Sequence, residues 1–211
     1  MIYRFGLILP LLLIASCTPS EQPSGEQDED QSKSEASSEP ESDGLVAYPD
    51  RFGPFRIGST YQKLSGEHDL KLEYSSEVED WNNPQPTGKG CEAFSLSEDW
   101  PYAGLMFEDG ILTRVDFYRP NRDAELRPKS AITEQNIALG STIYAAKKAY
   151  GDALVQTPHP YLEDQGSYLT VEGEPVDSGR SYGIVFETDE HVVTSFRIGD
   201  SRSIQYIEGC L

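Results

Sequence analysis

The sequence predicts an α+β protein, two repeats of a short helix followed by antiparallel strands, placed behind a disordered acidic linker. Three observations predict it. A six-residue motif, Phe55-Arg56-Ile57-Gly58-Ser59-Thr60, is echoed 82 residues on by Ile137-Ala138-Leu139-Gly140-Ser141-Thr142. Two strand motifs recur in the same order. Gly104-Leu105-Met106-Phe107-Glu108 matches Gly183-Ile184-Val185-Phe186-Glu187 at an offset of 79, and Leu112-Thr113-Arg114-Val115 matches Val193-Thr194-Ser195-Phe196 at 81. Ordered self-similarity at near-constant spacing marks a duplicated unit, and offsets that drift by three residues need only small loop insertions. The third observation is compositional: nothing before residue 45 carries a globular pattern. The units are placed at about 52–120 and 132–207, within a folded region of 45–211.

The N-terminus reads as an address. Arg4 is the only charge ahead of an apolar run from Phe5 to Ala15, as in a secretory signal. That run is too short for a hydrocarbon core, which needs roughly 20 helical residues. Residues 1–16 are therefore expected to be a signal peptide. Ile14-Ala15-Ser16-Cys17 resembles the lipobox of bacterial lipoproteins, which implies that Cys17 is acylated and becomes the mature N-terminus. An ordinary cleavage site would leave an unpaired exported thiol, which lipidation explains better. Several acyl chains hold a protein at a bilayer far better than one. By the same resemblance, Thr18 in place of Asp implies the outer membrane, with the protein facing the periplasm.

From Thr18 to Gly44 the chain has no aromatic residue, and its one Ala is the only apolar side chain. Such a segment cannot bury enough surface to offset the entropy of ordering. Nine acids against Lys33 leave it strongly negative, so self-repulsion extends it beyond the roughly 30 Å expected of a neutral flexible chain of this length. It reads as a tether. Asp28-Glu29-Asp30 lacks the alternate ligands, central Gly and distal Glu of a calcium loop.

Within the folded region each element has a local cause. Thr60 and Thr142 stand where a helix begins, and a hydroxyl there accepts from an otherwise unpaired amide. Ile143–Tyr150 is rich in Ala and Lys and is followed by Gly151, a helix and its terminator. Its counterpart from Tyr61 to Leu64 runs into Ser65-Gly66 and should be short. Leu105 to Glu108, Asp109-Gly110 and Ile111 to Tyr118 form a hairpin signal, because Asp-Gly tolerates the positive dihedrals of a type I′ turn. Alternation places Ile111, Thr113, Val115 and Phe117 on one face, and Val192, Thr194, Phe196 and Ile198 on the matching one. Further strands are expected at Ala93–Leu96, Tyr168–Val171 and Ile204–Ile207.

The Gly-x-Thr helix start followed by Gly-aliphatic-x-Phe and a hairpin resembles the β-lactamase-inhibitor-protein-like fold and the small outer-membrane lipoproteins of the SmpA/OmlA type, over about residues 52 to 207. The resemblance implies helices packed on short antiparallel sheets. The second unit and the long acidic tether depart from the outer-membrane type, and the lipidation signal departs from the secreted inhibitors.

With Cys17 acylated, Cys91 and Cys210 remain as a pair in an oxidising compartment and are expected to form a disulfide. Their separation resembles no redox-active C-x-x-C motif.

Candidate chemistry is sparse. His68, His159 and His191 are scattered, without the i, i+4 spacing of a helical metal site. No metal or cofactor is expected. His159 lies in Thr157-Pro158-His159-Pro160-Tyr161, read as a rigid loop between helix and strand, where functional residues often sit. No G-x-S-x-G elbow accompanies it. Adjacent carboxylates such as Glu98-Asp99 and Glu108-Asp109 reflect an acidic surface and do not form a buried acid–base pair. Tyr and Trp beside polar loops, namely Trp81, Trp100, Tyr102, Tyr118 and Tyr161, suit a protein or glycan contact, with core packing as the competing role.

The balance of 36 acids against 17 bases excludes nucleic acid as a partner, because phosphate contacts need Lys or Arg to displace counterions. Residues 1–44 hold nine acids and two bases, so twelve of the nineteen net negative charges belong to the folded region. The expected function is a lipid-anchored, non-enzymatic envelope protein that binds another envelope protein, with His159, Tyr161, Trp100 and Tyr102 as candidate contacts. Two alternatives stay open: an inhibitor of a basic secreted enzyme such as a lysozyme or a protease, and an envelope hydrolase using His159.

Overall fold

Thr60 and Thr142 each open an α-helix as its cap. The Thr60 hydroxyl accepts from the Lys63 amide at 3.4 Å and that of Thr142 from the Ala145 amide at 3.1 Å. The computed structural model describes residues 45–78, 80, 82–96, 100, 102–118, 131–176 and 179–210. Within them α1 spans Tyr61–Glu67 and α2 spans Ile143–Tyr150, burying Leu64 and Ala146 respectively. Gly151 ends α2 at φ 55°, a conformation a residue with a Cβ rarely adopts. Cys17, the acidic segment 18–44, Trp81 and Glu98-Asp99 lie outside the described residues.

Among the described residues twelve strands follow from the remaining apolar stretches. β1 (Val46–Tyr48), β2 (Arg51–Phe52), β3 (Phe55–Arg56) and β8 (Ile132–Thr133) form a small sheet in the order β3-β2-β1-β8. The other eight are β4 (Leu70–Ser75), β5 (Cys91–Leu96), β6 (Ala103–Glu108), β7 (Ile111–Tyr118), β9 (Leu154–His159), β10 (Glu163–Glu172), β11 (Tyr182–Thr188) and β12 (Val193–Asp200). They make one antiparallel sheet in the order β4-β5-β6-β7-β12-β11-β10-β9.

This corrects the expected architecture. The molecule is mostly β, with helices of only seven and eight residues, and it is not built as two helix-plus-sheet repeats. The decisive junction is β7 against β12, which pairs Phe117 with Phe196 and stacks their rings 4.4 Å apart. An apolar strand such as β7, left at an edge, would present unpaired amides and carbonyls to water or to another chain. Pairing the two edges removes both liabilities and merges what the sequence separates.

A second correction concerns alternation. Thr113 and Thr194 each sit at a register shift, between Met106 and Phe107 in one hairpin and between Glu187 and Thr188 in the other. Their hydroxyls donate to the carbonyls of Met106 (3.3 Å) and Glu187 (3.1 Å). One extra residue reverses which side chains point inward. Leu112 and Val193 are therefore buried instead of Thr113 and Thr194, while Val115, Phe117, Phe196 and Ile198 face the core as expected. The Asp109-Gly110 turn has φ 49° and 75° at its two residues, as its sequence requires.

The sheet has two unlike faces. Leu105, Phe107, Leu112, Val115, Phe117, Leu169, Ile184, Phe186, Phe196 and Ile198 pack with Phe52, Phe55, Leu64 and Ala146 in one cluster, so the helices and the small sheet cover that side. Alternation turns Arg114, Asp116, Glu187 and Arg197 to the other side. The expected strand at 204–207 is instead a single 3₁₀ turn, Ser203–Gln205, followed by turns to Cys210. That segment forms a hook on the second face.

Candidate binding face

The hook is held by charge and by sulfur. Arg114 Nη1 donates to the carbonyls of Ser203 (3.1 Å) and Tyr206 (2.8 Å), and Arg197 Nε donates to that of Ile204 (2.6 Å). Carbonyls removed from water need such donors, and a guanidinium can serve several at once. Ile204 is fully buried with Tyr168 and Val185. Cys91 and Cys210, expected as a pair, are joined at a Cα–Cα distance of 5.3 Å and close a loop of 119 residues. Burial, and then the charge of Arg114, pushes the Arg197 pKa below its ordinary value, though a guanidinium stays protonated in a protein.

Beside the hook lies a polar cluster centred on Glu187. His159 Nε2 meets Glu187 Oε1 at 2.9 Å, and the Ser195 hydroxyl donates to Oε2 at 3.1 Å. Arg197 is 3.7 Å from the same carboxylate. His159 Nδ1 accepts from the amides of Tyr161 (3.1 Å) and Leu162 (3.2 Å). Two donors into Nδ1 place the proton of the neutral ring on Nε2, where it is donated to Glu187. Both ring nitrogens are spent inside the protein. His159 is also 4% exposed and ends strand β9, which corrects its reading as a loop residue. Sequence could not show this, because the bulge between Glu163 and Ser167 that folds β10 back onto it is a tertiary feature.

The other candidates separate. Tyr161 is 62% exposed, and its hydroxyl bonds to Glu208 of the hook. The Glu208 carboxylate, by accepting that hydrogen bond, raises the Tyr161 pKa. Trp100 lies on the covered side, edge-on to Phe52 and Phe55 at 5.3 and 5.2 Å, and so is a packing residue. Tyr102 sits at φ 66° with its carbonyl accepting from the Tyr118 amide at 3.0 Å, a turn position leading into β6. His68, at the end of α1, tilts against Phe55, and His191 is exposed near Glu190. Among the described residues no three His, Cys, Asp or Glu gather as metal ligands, and no helix is long and apolar enough to cross a membrane.

Among the concavities of the described residues is a groove of about 460 Å³ on the open face, between β4–β7 and the hook. Its floor is made of the small residues Ala93 and Gly104, and its borders are Glu73, Tyr118 and Ile207. Tyr118 and Ile207 are both substantially exposed. Burial, followed by the charges of Glu73 and Asp116, raises the Tyr118 pKa. The Ser95 hydroxyl and Lys71 hold Glu73 in place at 2.7 and 3.0 Å and lower its pKa. Of these residues the sequence named only Tyr118 as a contact candidate. The hook's position depends on Cys210, and the row Ser95, Gly104, Asp116 depends on the register of three strands.

No protein-family model, curated protein or solved structure matches this chain.

Proposed function

We propose that this chain is a lipid-anchored cell-envelope protein whose folded region is a non-catalytic module for binding another protein. The observation that carries the reading is the groove. It is open, bordered by an aromatic ring and an aliphatic side chain in substantial exposure, and walled by a segment held covalently to the sheet. Exposed apolar and aromatic surface rimmed by polar groups is the composition of protein contact sites. Placement at a membrane rests on Ile14-Ala15-Ser16-Cys17, and the acidic segment after it supplies reach. The non-catalytic reading rests on His159, whose ring nitrogens are committed to Glu187 and to two backbone amides.

The test uses the full chain in the cells that make it. A benzophenone side chain introduced at Tyr118 is expected to capture a protein on irradiation, and one introduced at Tyr144, exposed on α2, is not. Palmitate-analogue labelling is expected on wild type and absent from Cys17→Ala. No adduct from Tyr118, or equal adducts from both positions, removes the binding-face reading. Label on Cys17→Ala removes the anchor. An acidic folded region also favours a second reading, inhibition of a basic secreted enzyme, since opposite charge accelerates encounter. Unchanged lysozyme activity at low ionic strength would dispose of its simplest form.

A further inference from the structure

We propose that the groove takes an extended cationic peptide segment, with a Lys or Arg side chain laid over Ala93 and Gly104 and its charged head against Glu73. This rests on the binding-module reading above and names its partner's chemistry.

Charge complementarity selects the occupant. The groove is lined by Glu73, Asp116 and Glu208 against Arg114, with Lys71 just outside the lining and paired to Glu73 at 3.0 Å. Their exposure is unequal. Arg114 is only 6% exposed, and its donors are turned toward Asp116 at 2.9 Å and toward the hook carbonyls. The Glu73 side chain is 48% exposed. A ligand in the groove therefore meets carboxylates and little of the guanidinium. An anionic ligand would meet three carboxylates, with Arg114 turned inward and Lys71 already paired to Glu73.

The shape fits the same class. Gly104 presents no side chain, and the Tyr118 ring packs close to it, 3.5 Å from where a Cβ would stand, so the floor is flat there and edged by that ring. Lys and Arg carry long apolar stems that lie along such surfaces while their heads stay hydrated. The face of Tyr118 adds an attractive surface for a cation.

Self-occupancy is disfavoured. The chain's own segment 18–44 carries nine acids against one base, and a second copy brings another acidic folded region; both would be repelled.

The experiment uses detergent-solubilised full chain. The probe is a fluorescein-labelled peptide of alternating Lys and Ala, with a Glu-for-Lys peptide of equal length beside it. Anisotropy is read at low and at physiological salt. The Lys peptide is expected to bind and the Glu peptide not to. Glu73→Gln with Glu208→Gln should weaken binding by about tenfold, equivalent to about 1.4 kcal/mol. Glu134→Gln with Glu190→Gln removes the same charge at exposed positions outside the groove, and should change binding less than about twofold, as expected of distant screened charges. Tyr118→Leu is the second groove variant, and thermal unfolding confirms that each variant is folded. Equal losses in the two charge pairs, or no binding of the Lys peptide at low salt, overturns the proposal. Should benzophenone at Tyr118 still capture a partner in cells, the module reading survives that failure. Absence of any capture removes the module reading whatever the peptide does.

Discussion

The Arg114 guanidinium donates to the carbonyl of Tyr206 at 2.8 Å across 92 residues of sequence. That contact joins a central strand to the hook, and the hook is one wall of the groove. Whatever loosens it alters the face where a partner is proposed to dock.

The disulfide should contribute most to that wall. Closing a loop of 119 residues constrains the unfolded chain by about 4 to 5 kcal/mol in the chain-entropy model. Cys91→Ser with Cys210→Ser is expected to lose stability of that order in urea unfolding, and wild type in reductant should behave alike. A variant as stable as oxidised wild type would show that the bond does not secure the fold.

Arg197→Met tests the second clasp. The Ile204 carbonyl would lose its 2.6 Å donor in a buried place, at a cost of about 1 to 3 kcal/mol. Hydrogen exchange is expected to accelerate in Ser203–Tyr206 more than in β12 itself. Uniform acceleration across the sheet would mean that the side chain supports the strand and not the hook.

His159 should appear in nitrogen NMR as the Nε2–H tautomer, since Nδ1 already accepts two amides. His159→Leu leaves those amides without an acceptor and should cost about 1 to 3 kcal/mol. Observation of the Nδ1–H tautomer would contradict the geometry.

Alkaline unfolding should involve Tyr150. Burial raises its pKa to about 12, Thr133 nearby lowers it in part, and Glu134 raises it. Because the folded value lies above the ordinary 10, the neutral phenol is favoured by folding. That stability is complete below pH 10 and is lost as pH rises toward 12. Tyr150→Phe should flatten the fall in melting temperature over that window. An unaltered slope would assign the alkaline transition to other groups.

Local signals were legible wherever the cause was local. Thr60 and Thr142 announce helices, Gly151 ends one, and Asp109-Gly110 turns a hairpin, because each depends on dihedrals and hydrogen bonds within a few residues. The bulges at Thr113 and Thr194 were not, since an inserted residue is invisible to a strict two-residue period. The candidate contacts fared according to the same rule. Trp100 and Tyr161 look alike beside polar loops, yet one packs on Phe52 and Phe55 and the other reaches Glu208.

Residue order alone thus settles where the helices begin and where the β6–β7 chain reverses. Only three-dimensional packing decides that β7 meets β12 in one sheet, that the C-terminal residues coil into a hook instead of a strand, and that His159 is enclosed. The physical reason is range. Caps and turns are satisfied by neighbours in sequence, whereas an exposed strand edge, a desolvated guanidinium or a carbonyl without water must find its partner wherever the chain brings one.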